Sequence, residues 1–284
     1  MANVRVVTDS AADLTAETAD EYGIVVVPLV VRFGEEVYAD ARMTCDEFWA
    51  KVEASPHHPG TSQPPMGVFE EVFRRLVEAG HSVCCVALTS KHSGTYSTAY
   101  AAAQQFGDKV KVVDSLSLSL GQGELALVAA RAARSGLALD QVVAAVEEAR
   151  SRCRLLILLN TIEFIRRGGR ADAVMPVLDR VTKMLNIKPL LNVHDGRLGL
   201  HGLARSYERG LIKLRQDVAS FAPVERLAVG HIRCPDLADE TARLLSHQLV
   251  FPLDQIRVVE AGPLLSTHGG PKVVGVAVVQ ERST

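Results

Sequence analysis

Hydroxyl side chains stand at two places where the sequence predicts the start of a helix. Thr61 and Ser62 precede prolines that suit the first turn of a helix beginning near Pro65. Ser93, with Gly94 beside it, follows a predicted buried strand and is placed to cap the next helix. Free N–H groups and the positive end of the helix dipole attract anions at such positions. Both segments therefore indicate a carboxylate or phosphate site, although a simple helix cap is the alternative role of each hydroxyl.

A histidine in a glycine-rich segment is the third candidate. His268 lies within residues 262–271, which we predict to be a loop between two strands. The glycines of such a loop let the backbone approach a ligand closely. We expect His268 to be a better ligand contact than His231 or His247, which fall on a predicted strand and a predicted helix.

Arginine side chains concentrate around one predicted turn. Arg166, Arg167 and Arg170 surround Gly168-Gly169, and Arg205 stands just before a predicted helix. A guanidinium group pairs well with the two oxygens of a carboxylate or phosphate. The cluster therefore indicates either an anion contact or a solvated basic turn.

Motifs of common enzyme families are absent from the sequence. Neither G-x-S-x-G, nor the Walker A motif, nor H-E-x-x-H occurs. Residues 121–126 match G-x-G-x-x-A, but the preceding predicted strand ends near Val113, which leaves too long a loop for a dinucleotide site. His57 and His58 have no carboxylate or cysteine at a spacing that completes a metal site. We therefore expect neither a cofactor nor a metal.

Two other functions stay open at the level of the residues. Ser93 as nucleophile and His268 as base, with Asp9 or Asp114, would suit an acyl ester hydrolase or acyltransferase. A pocket of the same polarity would also suit a protein that binds a small polar ligand.

Short apolar runs rich in β-branched residues alternate with helical periods, which is typical of an α/β fold with crossover helices. The predicted strands are residues 4–8, 24–31, 82–88, 109–113, 155–159, 187–193, 226–232, 256–260 and 273–279. The predicted helices are residues 66–78, 95–106, 121–135, 139–151, 206–221 and 236–248. Asp195-Gly196 separates two apolar runs and predicts a hairpin. We expect a parallel sheet in residues 1–160 and a mixed sheet in residues 161–284, as two domains.

Composition and charge narrow the class of protein. A chain of 284 residues with 48% hydrophobic and 23% charged residues can bury a core that needs no disulfides. The formal net charge of -2 argues against bulk nucleic acid or an anionic membrane as the main partner. The five cysteines form no C-x-x-C pair, and the first residues do not resemble a signal peptide. We therefore expect a soluble cytoplasmic protein.

The sequence contains an ordered set of short motifs along almost its whole length. They are Val7-Thr-Asp-Ser10 with Asp13-Leu14, Gly60-Thr-Ser-Gln-Pro64, His92-Ser-Gly-Thr-Tyr-Ser97, Val113-Asp-Ser115, Ile165-Arg-Arg-Gly-Gly-Arg170, Lys188-Pro-Leu-Leu191 with Asp195-Gly196, Arg205, and Thr267-His-Gly-Gly-Pro271. One such motif has little weight, whereas the ordered set is specific. By these motifs the chain resembles the DegV family of bacterial fatty-acid-binding proteins.

The resemblance implies a two-domain α/β fold and a ligand. The N-terminal domain would be a three-layer α/β/α unit with a parallel sheet, and the C-terminal domain a two-layer α/β unit with a mixed sheet. One long-chain fatty acid would occupy a buried tunnel near the domain junction. By the same likeness, Thr61, Ser93 and His268 would bind its carboxylate, with Ser62 and the Gly94 N–H close by.

The resemblance also implies a partner. Family members of this kind present the carboxylate to a separate fatty acid kinase with a dihydroxyacetone-kinase-like domain, which forms an acyl phosphate for phospholipid synthesis. Arg170 and Arg205 would then dock the kinase or compensate phosphate charge. The likeness implies a non-catalytic cytoplasmic monomer with transient membrane contact and no cofactor. His92 and the order Gly270-Pro271-Lys272 depart from the family pattern near the expected head-group site.

Overall fold

The computed structural model describes residues 4–170, 174–181 and 187–282. Its strands are β1 (Val4–Asp9), β2 (Ile24–Val27), β3 (Val30–Phe33), β4 (Glu36–Ala39), β5 (Gly60–Ser62), β6 (Ser82–Ala87), β7 (Val110–Asp114), β8 (Cys153–Leu158), β9 (Lys188–His194), β10 (Arg197–Ala204), β11 (Val224–Ile232), β12 (Arg257–Glu260) and β13 (Val273–Gln280). Its α-helices are α1 (Ala16–Tyr22), α2 (Cys45–Ala54), α3 (Met66–Glu78), α4 (Thr95–Ala103), α5 (Ser119–Arg134), α6 (Leu139–Arg152), α7 (Glu163–Gly168), α8 (Met175–Val181), α9 (Tyr207–Ala219), α10 (Pro235–Leu249) and α11 (Pro263–Gly269). Short 3₁₀ helices cover Ser10–Ala12, Asp40–Arg42, Gln104–Lys109 and Leu253–Gln255.

The first large sheet is parallel, with the strand order β2-β1-β6-β7. β6 is buried from Val83 to Ala87, and such an unbroken apolar run is typical of a parallel strand that is covered on both faces. Phe69 and Phe73 of α3 pack on one face together with α4, while α5 and α6 cover the other face. This confirms the predicted three-layer α/β/α arrangement.

The predicted strand over residues 24–31 is two strands in the structure. Pro28 has no N–H for a ladder hydrogen bond, so β2 ends at Val27 and β3 begins at Val30. β3 pairs antiparallel with β4 and β5 in a separate three-stranded sheet that the sequence analysis did not predict. This small sheet matters because β5 carries Thr61.

The second large sheet has the strand order β10-β9-β8-β13-β11-β12 and contains both parallel and antiparallel pairs. The predicted hairpin is confirmed, since β9 and β10 pair antiparallel across Asp195 and Gly196, whose φ angles are 47° and 79°. Positive φ at both central residues gives a turn that matches the twist of the strands. Leu211, Leu214 and Leu245 of α9 and α10 cover one face of the sheet. The opposite face lines a cavity.

α5 lies between the two large sheets and connects them. Leu125 packs on the parallel sheet, whereas Leu120 packs against the mixed sheet. Glu124 is buried between them, and its carboxylate pairs with Arg226 at 2.5 Å and with Arg257 at 2.9 Å. The two arginines belong to β11 and β12, so this ion pair fixes α5 to the mixed sheet.

One strand of the mixed sheet comes from before residue 160. β8 pairs antiparallel with β13 on one side and with β9 on the other. Its six residues therefore belong to the second sheet although they precede the expected boundary. The division into domains 1–160 and 161–284 stays a prediction.

Candidate ligand-binding site

An apolar cavity of about 430 Å³ lies between the loops of the first half of the chain and the mixed sheet. Leu155 and Ile157 of β8 both face it, because alternate residues of a strand point to the same side. Further apolar side chains of the wall are Leu29, Leu88, Leu118, Leu120, Leu159, Ile165, Leu191, Leu198, Ile232, Val259, Leu264, Leu265 and Val273. A cavity of this size and lining suits a small apolar ligand.

One group of polar residues interrupts the apolar lining. The wall includes all five predicted ligand contacts, namely Thr61, Ser62, Ser93, Gly94 and His268. Arg170 lines the cavity as well. Arg205 is exposed beyond the end of β10 and does not belong to the described lining. The fold therefore brings six of the seven candidate residues to one cavity, while their contacts with a ligand stay a prediction.

The imidazole of His268 is the centre of this polar group. Its Nε2 atom lies 2.9 Å from Thr61 Oγ1, and its buried Nδ1 atom has no hydrogen-bond partner among the described residues. Gly168 packs against Nδ1, since a Cβ at that position would stand 2.3 Å away. Burial, followed by the charge of Arg170, lowers the pKa of His268 to about 4. The ring is therefore neutral at pH 7 and carries one N–H donor.

The segment that carries this histidine is a helix and not the predicted loop. α11 has the glycine Gly262 as its N-cap, so no side chain at that position caps it. The N–H of Gly262 donates to Asp13 Oδ1 at 2.9 Å, and the N–H of Leu264 donates to Asp40 Oδ1 at 3.1 Å. These carboxylates lie 249 and 224 positions earlier in the chain. The prediction was wrong because the capping groups are not in the local sequence.

The start of α4 brings a hydroxyl group to the same cavity. Ser93 Oγ accepts the N–H of Thr95 at 3.2 Å and lies 2.8 Å from Thr95 Oγ1. The N-cap position is Gly94, one residue later than predicted. A Cβ at Gly94 would stand 1.9 Å from Gln63 Oε1. The absence of a side chain therefore lets the segment after β5 approach α4 closely.

The predicted arginine cluster divides into two environments. Arg167 pairs with Glu163 at 2.5 Å along α7. Arg170 instead lines the cavity, and its charge contributes to the lowered pKa of both His268 and His92. Arg170 is therefore placed to act on a ligand in the cavity.

Two hydrogen bonds that were not predicted from the sequence hold the β9–β10 hairpin against the cavity. His92 Nε2 accepts the N–H of Leu198 at 3.0 Å, and Thr89 Oγ1 donates to the carbonyl oxygen of Gly196 at 3.0 Å. Burial lowers the pKa of His92, which keeps its ring neutral and able to accept. The sequence signal for this contact was His92 itself, which departs from the family pattern at the position before Ser93. The loop between β6 and α4 thus holds the hairpin in place.

The geometry of a Ser-His-Asp hydrolase is not assembled in the described residues. His268 Nε2 contacts Thr61 and not Ser93, and no described carboxylate orients its Nδ1 atom. Asp9 and Asp114 accept backbone N–H groups of nearby loops instead. A serine nucleophile needs a base beside it and a third group that orients the base.

Over residues 4–170, 174–181 and 187–282, no group of three or more His, Cys, Asp or Glu side chains is placed to hold a metal ion. In the same ranges no helix has both the length and the apolar character needed to cross a bilayer. All five cysteines are free thiols.

Known proteins resemble this chain over nearly its full length. A protein from Streptomyces coelicolor, described as a DegV domain-containing protein, is 31% identical over 280 residues, which is 97% of this chain and 98% of that protein. A structure from Thermus thermophilus, described as fatty acid binding of a DegV family protein, has 29% identity and a TM-score of 0.86, covering 98% of this chain and 99% of that one.

A second structure extends the likeness. The protein from Eubacterium ventriosum, described as a stearic-acid-binding protein, has 25% identity and a TM-score of 0.88, with 98% of each chain covered. The family model described as "Uncharacterised protein, DegV family" matches residues 3–281. This match covers far more than half of the sequence and agrees with the motifs and the α/β architecture. The chain belongs to the DegV family.

Proposed function

We propose that this protein binds one long-chain fatty acid in the cavity, with the carboxylate at the polar group and the chain among the aliphatic side chains. The observation that carries the proposal is the contrast within one cavity, in which Thr61, Ser93 and His268 interrupt a lining that is otherwise mainly apolar. Each buried methylene group contributes about 0.8 kcal/mol to such binding. The fatty-acid-binding and stearic-acid-binding relatives from Thermus thermophilus and Eubacterium ventriosum support the ligand class.

The polar group has the chemistry that a carboxylate requires. The neutral imidazole of His268 supplies an N–H donor, and the Thr61 and Ser93 hydroxyl groups supply O–H donors. Ser62 and the N–H of Gly94 lie on the same wall. Arg170 and the start of α4 supply positive charge that offsets the charge of the ligand.

We further propose that the bound carboxylate is presented to a separate fatty acid kinase with a dihydroxyacetone-kinase-like domain. In that reaction a carboxylate oxygen forms a bond to the γ-phosphorus of ATP while the bond to ADP breaks, which yields an acyl phosphate and ADP. Arg170 at the cavity and Arg205 outside it would compensate phosphate charge or dock the kinase. We expect a cytoplasmic monomer that contacts the membrane transiently, takes part in phospholipid synthesis and needs no cofactor.

Native mass spectrometry of the purified protein, followed by solvent extraction, tests the ligand. We expect one C16 to C18 fatty acid per chain. Titration of delipidated protein with a fluorescent fatty acid should then show about tenfold weaker binding for His268→Ala, because a hydrogen bond to a charged group is lost. His247→Ala, which changes an exposed histidine of α10, is the matched control. An empty protein that also fails to bind added fatty acid would refute the proposal.

The carrier role is tested with a purified fatty acid kinase and ATP. Arg205→Ala should lower the rate of acyl phosphate formation and leave fatty acid affinity unchanged, whereas Arg243→Ala on the exposed side of α10 should change neither. Equal loss of binding and phosphorylation in Arg205→Ala would count against the docking role. Turnover of acyl esters that Ser93→Ala abolishes would favour a hydrolase instead.

A further inference from the structure

Two carboxylates from the first half of the chain hold the beginning of α11. Asp13 Oδ1 accepts the N–H of Gly262, and Asp40 Oδ1 accepts the N–H of Leu264. The second oxygen of Asp13 accepts the hydroxyl of Ser119 at 2.6 Å. Asp13 and Asp40 are both buried, so these hydrogen bonds are shielded from water. The two carboxylates therefore do for α11 what a capping side chain does for an ordinary helix.

α11 depends on these caps because it has little stability of its own. It has seven residues, which is far below the length at which an isolated helix is stable in water. Gly262 has no capping side chain, and Pro263 has no N–H. The hydroxyl groups of Ser266 and Thr267 donate to the carbonyl oxygens of Ala261 and Pro263, so neither is shown capping the first N–H groups of the helix. The external carboxylates therefore determine where α11 begins.

The same helix carries the central residue of the proposed head-group site. His268 lies in its last turn, with Nε2 at 2.9 Å from Thr61 Oγ1. Leu264 and Leu265 of its first turn line the cavity. A helix rises 1.5 Å per residue, so about 9 Å separates the capped end from the histidine. A shift at the capped end therefore moves the imidazole against Thr61.

We propose that Asp13 and Asp40 are positioning residues of the head-group site, which fix α11 so that His268 is held in place for a ligand carboxylate. The proposal rests on the proposed function for the identity of the ligand. Asp13 and Asp40 would act on the ligand only through α11, since neither residue belongs to the described lining of the cavity.

The surroundings of the two carboxylates make the caps sensitive to pH. Burial is the main reason that the pKa of Asp13 rises to about 7 and that of Asp40 to about 6. The two carboxylates face each other, and the other charged or titratable groups near them are Asp9, Arg257 and Cys45. The hydroxyl groups that face them are those of Ser10 and Ser119. An ionised carboxylate accepts hydrogen bonds on both oxygens and attracts the positive end of the helix dipole. A protonated carboxyl carries no charge, and one of its oxygens becomes a donor. The caps should therefore weaken as the pH falls from 8 to 5.5.

Fatty acid titrations at several pH values test the role of the caps. Asp13→Ala and Asp40→Ala should each weaken binding about tenfold, because an uncapped α11 populates the binding-competent position less often. Asp13→Asn keeps one acceptor for the Gly262 N–H but carries no charge, as a protonated carboxyl does. Its affinity at pH 8 should therefore lie between those of the wild type and Asp13→Ala, with a flatter pH profile than the wild type. Thr15→Ala is the matched control, since Thr15 caps α1 away from the cavity. Wild-type affinity in both alanine variants would overturn the proposal.

A readout without ligand separates this proposal from the proposed function. In NMR spectra of the empty protein, the amide protons of Gly262 and Leu264 and the ring signals of His268 should titrate together between pH 5.5 and 8. Asp13→Asn should remove the Asp13 component, and Thr15→Ala should leave the signals unchanged. Ring signals that do not follow the amide protons would overturn the positioning role even if fatty acid binds. Failure of the wild type to bind fatty acid would refute the proposed function alone.

Discussion

The Nε2 atom of His268 lies 2.9 Å from the hydroxyl oxygen of Thr61, although 207 positions separate the two residues in the chain. Thr61 lies on the middle position of β5 in the small antiparallel sheet, and His268 lies on a helix between β12 and β13. The contact therefore joins the two halves of the chain at the cavity. It also explains why the polar group exists only in the folded protein.

Acidic pH is expected to destabilise the protein through His268. Burial lowers its pKa to about 4 in the folded protein from an ordinary value of 6.5. The neutral ring contributes stability that is complete above pH 6.5 and is lost as the pH falls toward 4, because only the unfolded chain binds the proton there. We expect the free energy of unfolding, measured in urea, to fall between pH 7.5 and pH 4 in the wild type. In His268→Gln the fall should be about 3 kcal/mol smaller.

The difference between the wild type and His268→Gln isolates the contribution of the histidine to the pH dependence of stability. Asp9, Asp13 and Asp40 have raised pKa values, so their protonation acts in the opposite direction and favours the folded state as the pH falls. These groups are present in both proteins and cancel in the difference. An equal loss of stability in the wild type and in His268→Gln would show that the histidine is not buried as a neutral ring.

Replacement of Gly168 by alanine should displace the imidazole of His268. A Cβ at position 168 would stand 2.3 Å from Nδ1, which is too close for any real contact. We expect fatty acid affinity to fall about tenfold, because the hydrogen bond to the ligand is lost. Gly67→Ala is the control, since a Cβ there meets nothing within 4 Å, and it should keep wild-type affinity and raise the melting temperature slightly. Unchanged binding in Gly168→Ala would argue against contact between the ring and the ligand.

His92 should control how long a ligand stays bound. His92→Ala removes the acceptor for the Leu198 N–H and leaves that donor unpaired at the cavity wall. We expect release of a fluorescent fatty acid, measured by stopped flow, to become about fivefold faster as the hairpin loosens. His201→Ala, which changes an exposed histidine on the same hairpin, serves as the control. Identical release rates for the two variants would contradict a role of His92 in closing the cavity.

Glu124 should be the most sensitive charged residue of the fold. Glu124→Ala leaves the guanidinium groups of Arg226 and Arg257 without their shared carboxylate, and both are largely buried. Removal of one partner from a buried ion pair costs about 3–5 kcal/mol of unfolding free energy. Glu148→Ala breaks ion pairs at the surface and should cost less than about 1 kcal/mol. Similar losses in urea unfolding of both variants would show that the Glu124 pairs are effectively solvated.

Much of the fold was predictable because it depends on local patterns. β1, β6 and β7 are short runs rich in valine, and such runs form parallel strands when helices alternate with them. The Asp195-Gly196 turn was predictable because its positive φ angles select these residue types. The break at Pro28 was visible in the sequence, but the sheet that β3 forms beyond it requires partners from two other segments.

The sequence by itself determined the α/β class, the family and the residue types that meet at the cavity. Local propensity, hydrophobic periodicity and the ordered motifs carry that information. Only the tertiary structure decided that residues 263–269 are helical, that His92 holds the hairpin and that Thr61 meets His268. Each of these features depends on a hydrogen bond between segments that are far apart in the chain. Such bonds are satisfied by packing and not by local sequence, so no spacing or period in the chain records them.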